Sequence, residues 1–150
     1  MLTQTIIFIA YILFTVYKFG VLPSISDSWY KLGTHWYWFT ALTWGLGLPL
    51  IWMDKGALLS VSGILMCFVG IAGAFKNDNV IHIVHYTGAA CSIIFAFVYL
   101  SVNVSIMPVI LMAAFLLYAI FSKMKNSIWW IEIVAFTLIE VGLLIGYYEN

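Results

Sequence analysis

Six apolar runs, each near the roughly 20 residues that a helix needs to cross about 30 Å of hydrocarbon, leave this chain few folds to choose from. They extend from Thr3 to Leu22, His35 to Met53, Ala57 to Phe75, Val80 to Leu100, Ile106 to Ser122 and Ile128 to Tyr148. In hydrocarbon every backbone N–H and C=O must be paired within the protein, which admits only helices or a closed barrel. The runs are too long and too uniformly apolar to be barrel strands, which alternate over about ten residues. The sequence therefore predicts an all-α fold, a polytopic bundle of six transmembrane helices with short loops. Composition agrees: 8% of residues are charged and 65% hydrophobic, where a soluble domain carries roughly 25% charged residues.

The connectors are "PSISDSWYKLGT", "DKG", "KNDN", "SVNVS" and "KMKNS". None approaches the roughly 40 residues that even a cross-linked small domain needs, so residues 1–150 read as one transmembrane domain. Ile6 to Val16 has the apolar core of a signal peptide, but it lacks a positive n-region and a small-x-small cleavage site. It reads as a retained first helix. Any function is then performed within the bilayer or at its surface.

Charge placement gives an orientation. Lys18, Lys31, Lys76, Lys123 and Lys125 fall on the side of the odd-numbered loops and Lys55 on the other. The positive-inside bias places the odd loops in the cytoplasm and both termini outside. Trp29, Tyr30, Trp36, Tyr37, Trp38, Trp129 and Trp130 mark the same face, as amphipathic rings do at headgroup depth. Six lysines without an arginine offer no nucleic-acid footprint.

The aromatic belt does not explain the ionisable groups on that face. The segment "KNDNVIHIVHYTGAA" brings Asp78, His82 and His85 to the same surface as Asp27 and His35. At about 100° per residue, Asp78 and His85 lie within about 20° of each other if the fourth helix already includes Asp78, with His82 some 40–60° away. Glu132 lies about one turn inside the sixth helix, and Glu140 about 18 Å from its start. An ionisable group at that depth faces the bundle interior with a partner. Asp78, His82, His85 and Glu132 have the donor types for zinc, since a catalytic site needs three protein ligands and an open position. They lack an HExxH spacing, and a plain hydrogen-bonding role is expected more than a metal, so no cofactor is required.

The remaining features concern packing. Cys67 and Cys91 fall inside spans, about 6 Å out of step in depth, and read as free thiols. Ser60, Gly63, Gly70 and Gly73, with Gly88, Ala89, Ser92 and Ala96, predict a close antiparallel pairing of the third and fourth helices. Gly45, Gly47 and Pro49 are expected to bend the second helix, whereas Pro108 sits harmlessly in the first turn of the fifth.

Two segments carry a resemblance. "LPSISD", Leu22 to Asp27, at the end of a first membrane helix, is similar to the Pro-x-Ile-Ser-Asp signature of the DRAM/Sfk/Frag group of six-helix membrane proteins. "FKNDNVIHIVHYTGAACSIIF", Phe75 to Phe95, resembles that group's later segment at His85, Gly88, Ala89 and Phe95. The resemblance implies a membrane-lipid context. It also pairs Asp27 and its serines with the His85 region, so that Ser26, Asp27, His82 and His85 are expected to meet in a headgroup-level pocket.

Three classes of function follow. The first is a non-enzymatic protein that binds lipid, itself or another membrane partner through the odd-loop face, with Ser26, Asp27, His35, His82, His85 and Glu140 as candidate contacts. The second is an intramembrane metal-dependent lipid hydrolase or transferase, with Asp27, Asp78, His82, His85 and Glu132 as candidate catalytic groups. The third is a small proton-coupled transporter or channel built on Glu132 and Glu140. The absence of a complete catalytic set favours the first.

Overall fold

The computed structural model describes residues 2–53, 56–76 and 78–148. Among them the chain is entirely helical, with no strand: α1 (Leu2–Phe19), α2 (Ser28–Leu32), a 3-10 turn (Gly33–His35), α3 (Tyr37–Trp52), α4 (Ala57–Ile71), α5 (Asn79–Asn103), α6 (Met107–Phe121) and α7 (Ser127–Tyr148). Three of these, α1, α5 and α7, are long and apolar enough to cross a membrane. α4 and α6 are apolar but only 15 residues each, about 22 Å at 1.5 Å per residue and short of about 30 Å of hydrocarbon. The third predicted run is cut at Ile71 because residues 72–76 fold as turns. Lys55, the lysine assigned to the even side, lies outside the described residues.

Local chemistry explains where the helices stop. α1 ends at Gly20, whose φ of 74° is the left-handed conformation that favours glycine, and whose N–H closes on the Val16 carbonyl at 2.9 Å. α5 begins after Asp78, whose carboxylate accepts from the N–H groups of Val80 (2.7 Å) and Ile81 (3.2 Å). Pro108 occupies the first turn of α6, as expected, and Pro49 lies inside α3.

α3 packs on α4 and α4 on α5, while α1 lies against α3 and α5 against α7. Contacts between α1 and α7 close the ring, through the Phe8 and Phe136 rings 5.4 Å apart and a Thr5–Glu140 hydrogen bond. α6 stays outside it, touching α5 and α7. The expected α4–α5 pairing is present: the Ser62 and Ser92 hydroxyls each donate to the other's carbonyl at 2.8 Å, and Gly88 lies against the Leu65 carbonyl. Gly63 and Gly70 serve a different neighbour. A Cβ on Gly63 would strike the Gly47 carbonyl, and one on Gly70 would strike Thr43, so these glycines admit α3 rather than α5. Cys67 and Cys91 are free, as expected.

The first, third and fifth connectors gather at one end of the ring. The first does not lie on the surface but dips into it: Leu22, Ile25, Ser24, Ser26, Asp27 and Ser28 are all buried. Non-helical backbone inside protein needs partners, and α7 supplies them. The Pro23 carbonyl accepts from Trp129 N–H (3.1 Å), an N-terminal amide that has no partner within α7. The Ile25 N–H donates to Glu132 Oε2 at 2.6 Å, and Asn126 donates to the Val21 carbonyl at 3.0 Å.

Candidate functional site

His85 is the centre of the gathered end. It is 2% exposed, and its ring stacks on Phe75 at 4.3 Å and 18°. Nδ1 lies 3.0 Å from the Ala72 carbonyl and 3.2 Å from that of Val69. Carbonyls only accept, so Nδ1 carries the hydrogen and, in the neutral ring, Nε2 is the acceptor. Ser26 Oγ, 2.9 Å away, therefore donates to Nε2. One imidazole thus ties the first connector to the end of α4 and to α5.

Asp27 sits beside this pair. Its Oδ1 forms an ion pair with Lys76 Nζ, and its Oδ2 accepts from Ser24 Oγ at 3.1 Å. Lys76 also lies over the Tyr30 ring, 5.1 Å from its centroid, and its backbone N–H donates to the Tyr30 hydroxyl. The Asp27 side chain is 11% exposed and that of Lys76 54%. The acid therefore points inward while the ammonium remains at the surface.

Ser26, Asp27 and His85 are brought together as the sequence predicts, but His82 is not. It is exposed and packs against the Tyr86 ring, 4.4 Å between centroids. Asp78 does not join them either, because it precedes the helix in extended backbone (φ −152°, ψ 138°) and serves as its cap. The condition for aligning Asp78 with His85, a helix that includes Asp78, is thus not met. Glu132 is engaged with the Ile25 amide, and His35 is exposed in the 3-10 turn, 3.3 Å from Thr34 Oγ1. Glu140 lies at a different depth, buried and accepting from Thr5 Oγ1 at 2.9 Å.

The proposed zinc set of Asp78, His82, His85 and Glu132 is accordingly dispersed. Among the described residues no three His, Cys, Asp or Glu side chains stand close enough to hold a metal ion. A hydroxyl donating to an imidazole is the pairing that base-assisted nucleophilic attack requires. Substrate access to it is absent in this conformation: Ser26 is 7% exposed, and the cavity it lines with Thr43 and Glu132 measures about 30 Å³. That is room for a water molecule or two, at about 10–15 Å³ each.

Space of molecular size lies elsewhere at the same end. A groove of about 530 Å³ runs between α1 and α3, lined by Ile7, Ala10, Tyr11, Phe14, Trp38, Ala41 and Leu42. Its volume falls in the about 300–1,000 Å³ range of small-molecule sites. Ser28 Oγ donates to the Ile25 carbonyl at 2.6 Å, so the Tyr11 hydroxyl, 2.5 Å from Ser28 Oγ, is the donor in that pair. Tyr11 therefore presents its ring to the groove and its polar tip to the protein.

Sequence reading missed this groove, and it missed Lys76, Phe75 and Tyr30 as the partners of the Asp27–His85 region. The signal for Lys76 was available, since it is the cation next to Phe75 on the face that carries Asp27. Comparison with protein-family models, with curated proteins and with solved structures finds no match.

Proposed function

We propose that this is a six-span membrane protein of one domain, non-enzymatic, whose short α4 and α6 cross by local thinning of the bilayer, and that it binds a membrane lipid at the end where its odd-numbered connectors gather. The α1–α3 groove carries this reading. Its walls are apolar, α1 is long and apolar enough to cross a membrane, and α3 crosses beside it in this reading, so the opening would face hydrocarbon, where an acyl chain is the molecule present at highest concentration. The exposed Trp36, Tyr37 and Trp38 at the start of α3 are side chains that favour headgroup depth. The reading places the odd connectors in the cytoplasm. It also agrees with the lipid context that the resemblance to the DRAM/Sfk/Frag group implies, and membership of that group is part of the proposal.

The inward-turned polar residues support binding over catalysis. Ser26, Asp27, His85 and Glu132 each have partners within the protein, which suits a rigid scaffold beneath a lipid site. The test is lipid retention after purification in mild detergent, read by mass spectrometry. Ala41→Trp fills the groove from α3 and is expected to strip a co-purifying phospholipid that the wild type keeps, with helical content unchanged. Equal retention by both proteins would refute the reading.

A further inference from the structure

The groove has two unlike ends. Its α1 wall follows the stripe Ile7, Ala10, Tyr11 and Phe14, and one helical turn beyond Phe14 the same stripe reaches Lys18. Lys18 is exposed, in the last turn of α1, with Nζ 5.6 Å from the Phe14 ring centroid and 5.4 Å from that of Phe19. Cation–π attraction holds the ammonium over the rim of the groove. The α3 wall begins at Trp38, one residue into that helix. Charge and indole therefore mark one end, and Ile7, about 16 Å away along α1 at 1.5 Å per residue, marks the other.

Among the described residues, the acids of this end are committed elsewhere. Asp27 pairs with Lys76, Glu132 holds the Ile25 amide and Asp78 caps α5. Among the described residues Lys76–Asp27 is the ion pair formed, and Lys18 has none. A lysine over the mouth of an acyl-sized groove, at the headgroup end of a spanning helix, complements a phosphate.

Resting on the lipid-binding reading above, we infer that the groove selects a phospholipid of net negative charge. One acyl chain lies between α1 and α3 against Ala10, Ala41 and Leu42, and the phosphate sits on Lys18. A lysine near an anionic surface contributes about 1 kcal/mol, which is about a fivefold preference.

The experiment titrates phosphatidylglycerol and phosphatidylcholine with identical chains into delipidated full-length protein in mild detergent, and counts bound lipid by native mass spectrometry. Wild type is expected to bind phosphatidylglycerol about fivefold more tightly. Lys18→Gln should bring the two lipids to about the same affinity, weakening phosphatidylcholine less because its choline cation already offsets the phosphate charge, and Ala41→Trp should remove both. Equal binding of the two lipids by wild type, or a preference that survives Lys18→Gln, overturns the inference while leaving the groove in place. Undiminished binding by Ala41→Trp, or a lipid-free dimer in place of a lipid-bound monomer, overturns the groove and the inference with it. Should Ala41→Trp fail to fold, Ala10→Leu narrows the groove from the opposite wall and is read the same way.

Discussion

Replacing His85 by Phe isolates the polar tie at the gathered end. The phenyl ring keeps the planar shape that stacks on Phe75 at 4.3 Å, so the cost falls on hydrogen bonding. Two interactions are lost: the Nδ1–H shared between the Val69 and Ala72 carbonyls, and the acceptor of the Ser26 hydroxyl. At about 0.5–1.5 kcal/mol each, with a further cost for a buried hydroxyl left unmade, the variant should lose about 2–3 kcal/mol. Ser26→Ala alone should lose about 1 kcal/mol, since it removes one bond and leaves Nε2 without a donor. In the double variant neither group is stranded, so the combined loss should fall below the sum. Coupling between membrane helices averages about 0.6 kcal/mol and reaches about 1.7, and a fully buried pair belongs in the upper half of that range. The assay is reversible unfolding in mixed micelles, titrated with a denaturing detergent and followed by far-UV circular dichroism. Additivity within about 0.3 kcal/mol would mean that Ser26 and His85 do not share a hydrogen bond, whereas the tautomer, set by the Val69 and Ala72 carbonyls at Nδ1, would stand.

Two further substitutions test the packing of the ring. Gly47→Ala sets a Cβ 2.6 Å from the Gly63 carbonyl and 3.0 Å from Cys67 Sγ; it should force α3 from α4 at a cost of about 1–3 kcal/mol, and an unchanged unfolding midpoint would show the contact to be loose. Glu140→Gln keeps an oxygen that can accept from Thr5 and should cost well under about 1 kcal/mol, whereas Glu140→Ala should cost about 1–3 kcal/mol. Equal losses for the two would mean that the carboxylate contributes through its charge rather than as an acceptor for Thr5.

The helical class was legible because long uncharged apolar runs admit no other pairing of backbone groups in hydrocarbon. The meeting of Ser26, Asp27, His82 and His85 was what the resemblance implied, and the structure joins Ser26 to His85 beside Asp27 while leaving His82 outside. The errors lie where a local hydrogen bond overrides a pattern. The alignment of Asp78 with His85 was conditional on a helix that includes Asp78, but its short carboxylate reaches the amides of Val80 and Ile81 and makes it a cap. His82, three residues from His85, turns outward on the helix surface, as a displacement of about 60° suffices to do. Apolar composition continues past Ile71 into Ala72, Gly73 and Ala74, so hydropathy alone did not reveal that the helix had ended. The groove depends on which faces of α1 and α3 are left apart, information that the one-dimensional pattern does not hold.

The bonds that hold the inward-dipping connector also set a schedule for synthesis at the ribosome. Ile25 waits for Glu132, 107 residues later, and Val21 waits for Asn126, 105 residues later. At about 5–20 residues per second, the nascent chain spends roughly 5–20 s with that connector's backbone unsupported by α7. During this interval the half-made bundle offers open amides to chaperones, to insertion machinery or to quality-control proteases. A message truncated before α7 would yield a chain in which that exposure never ends.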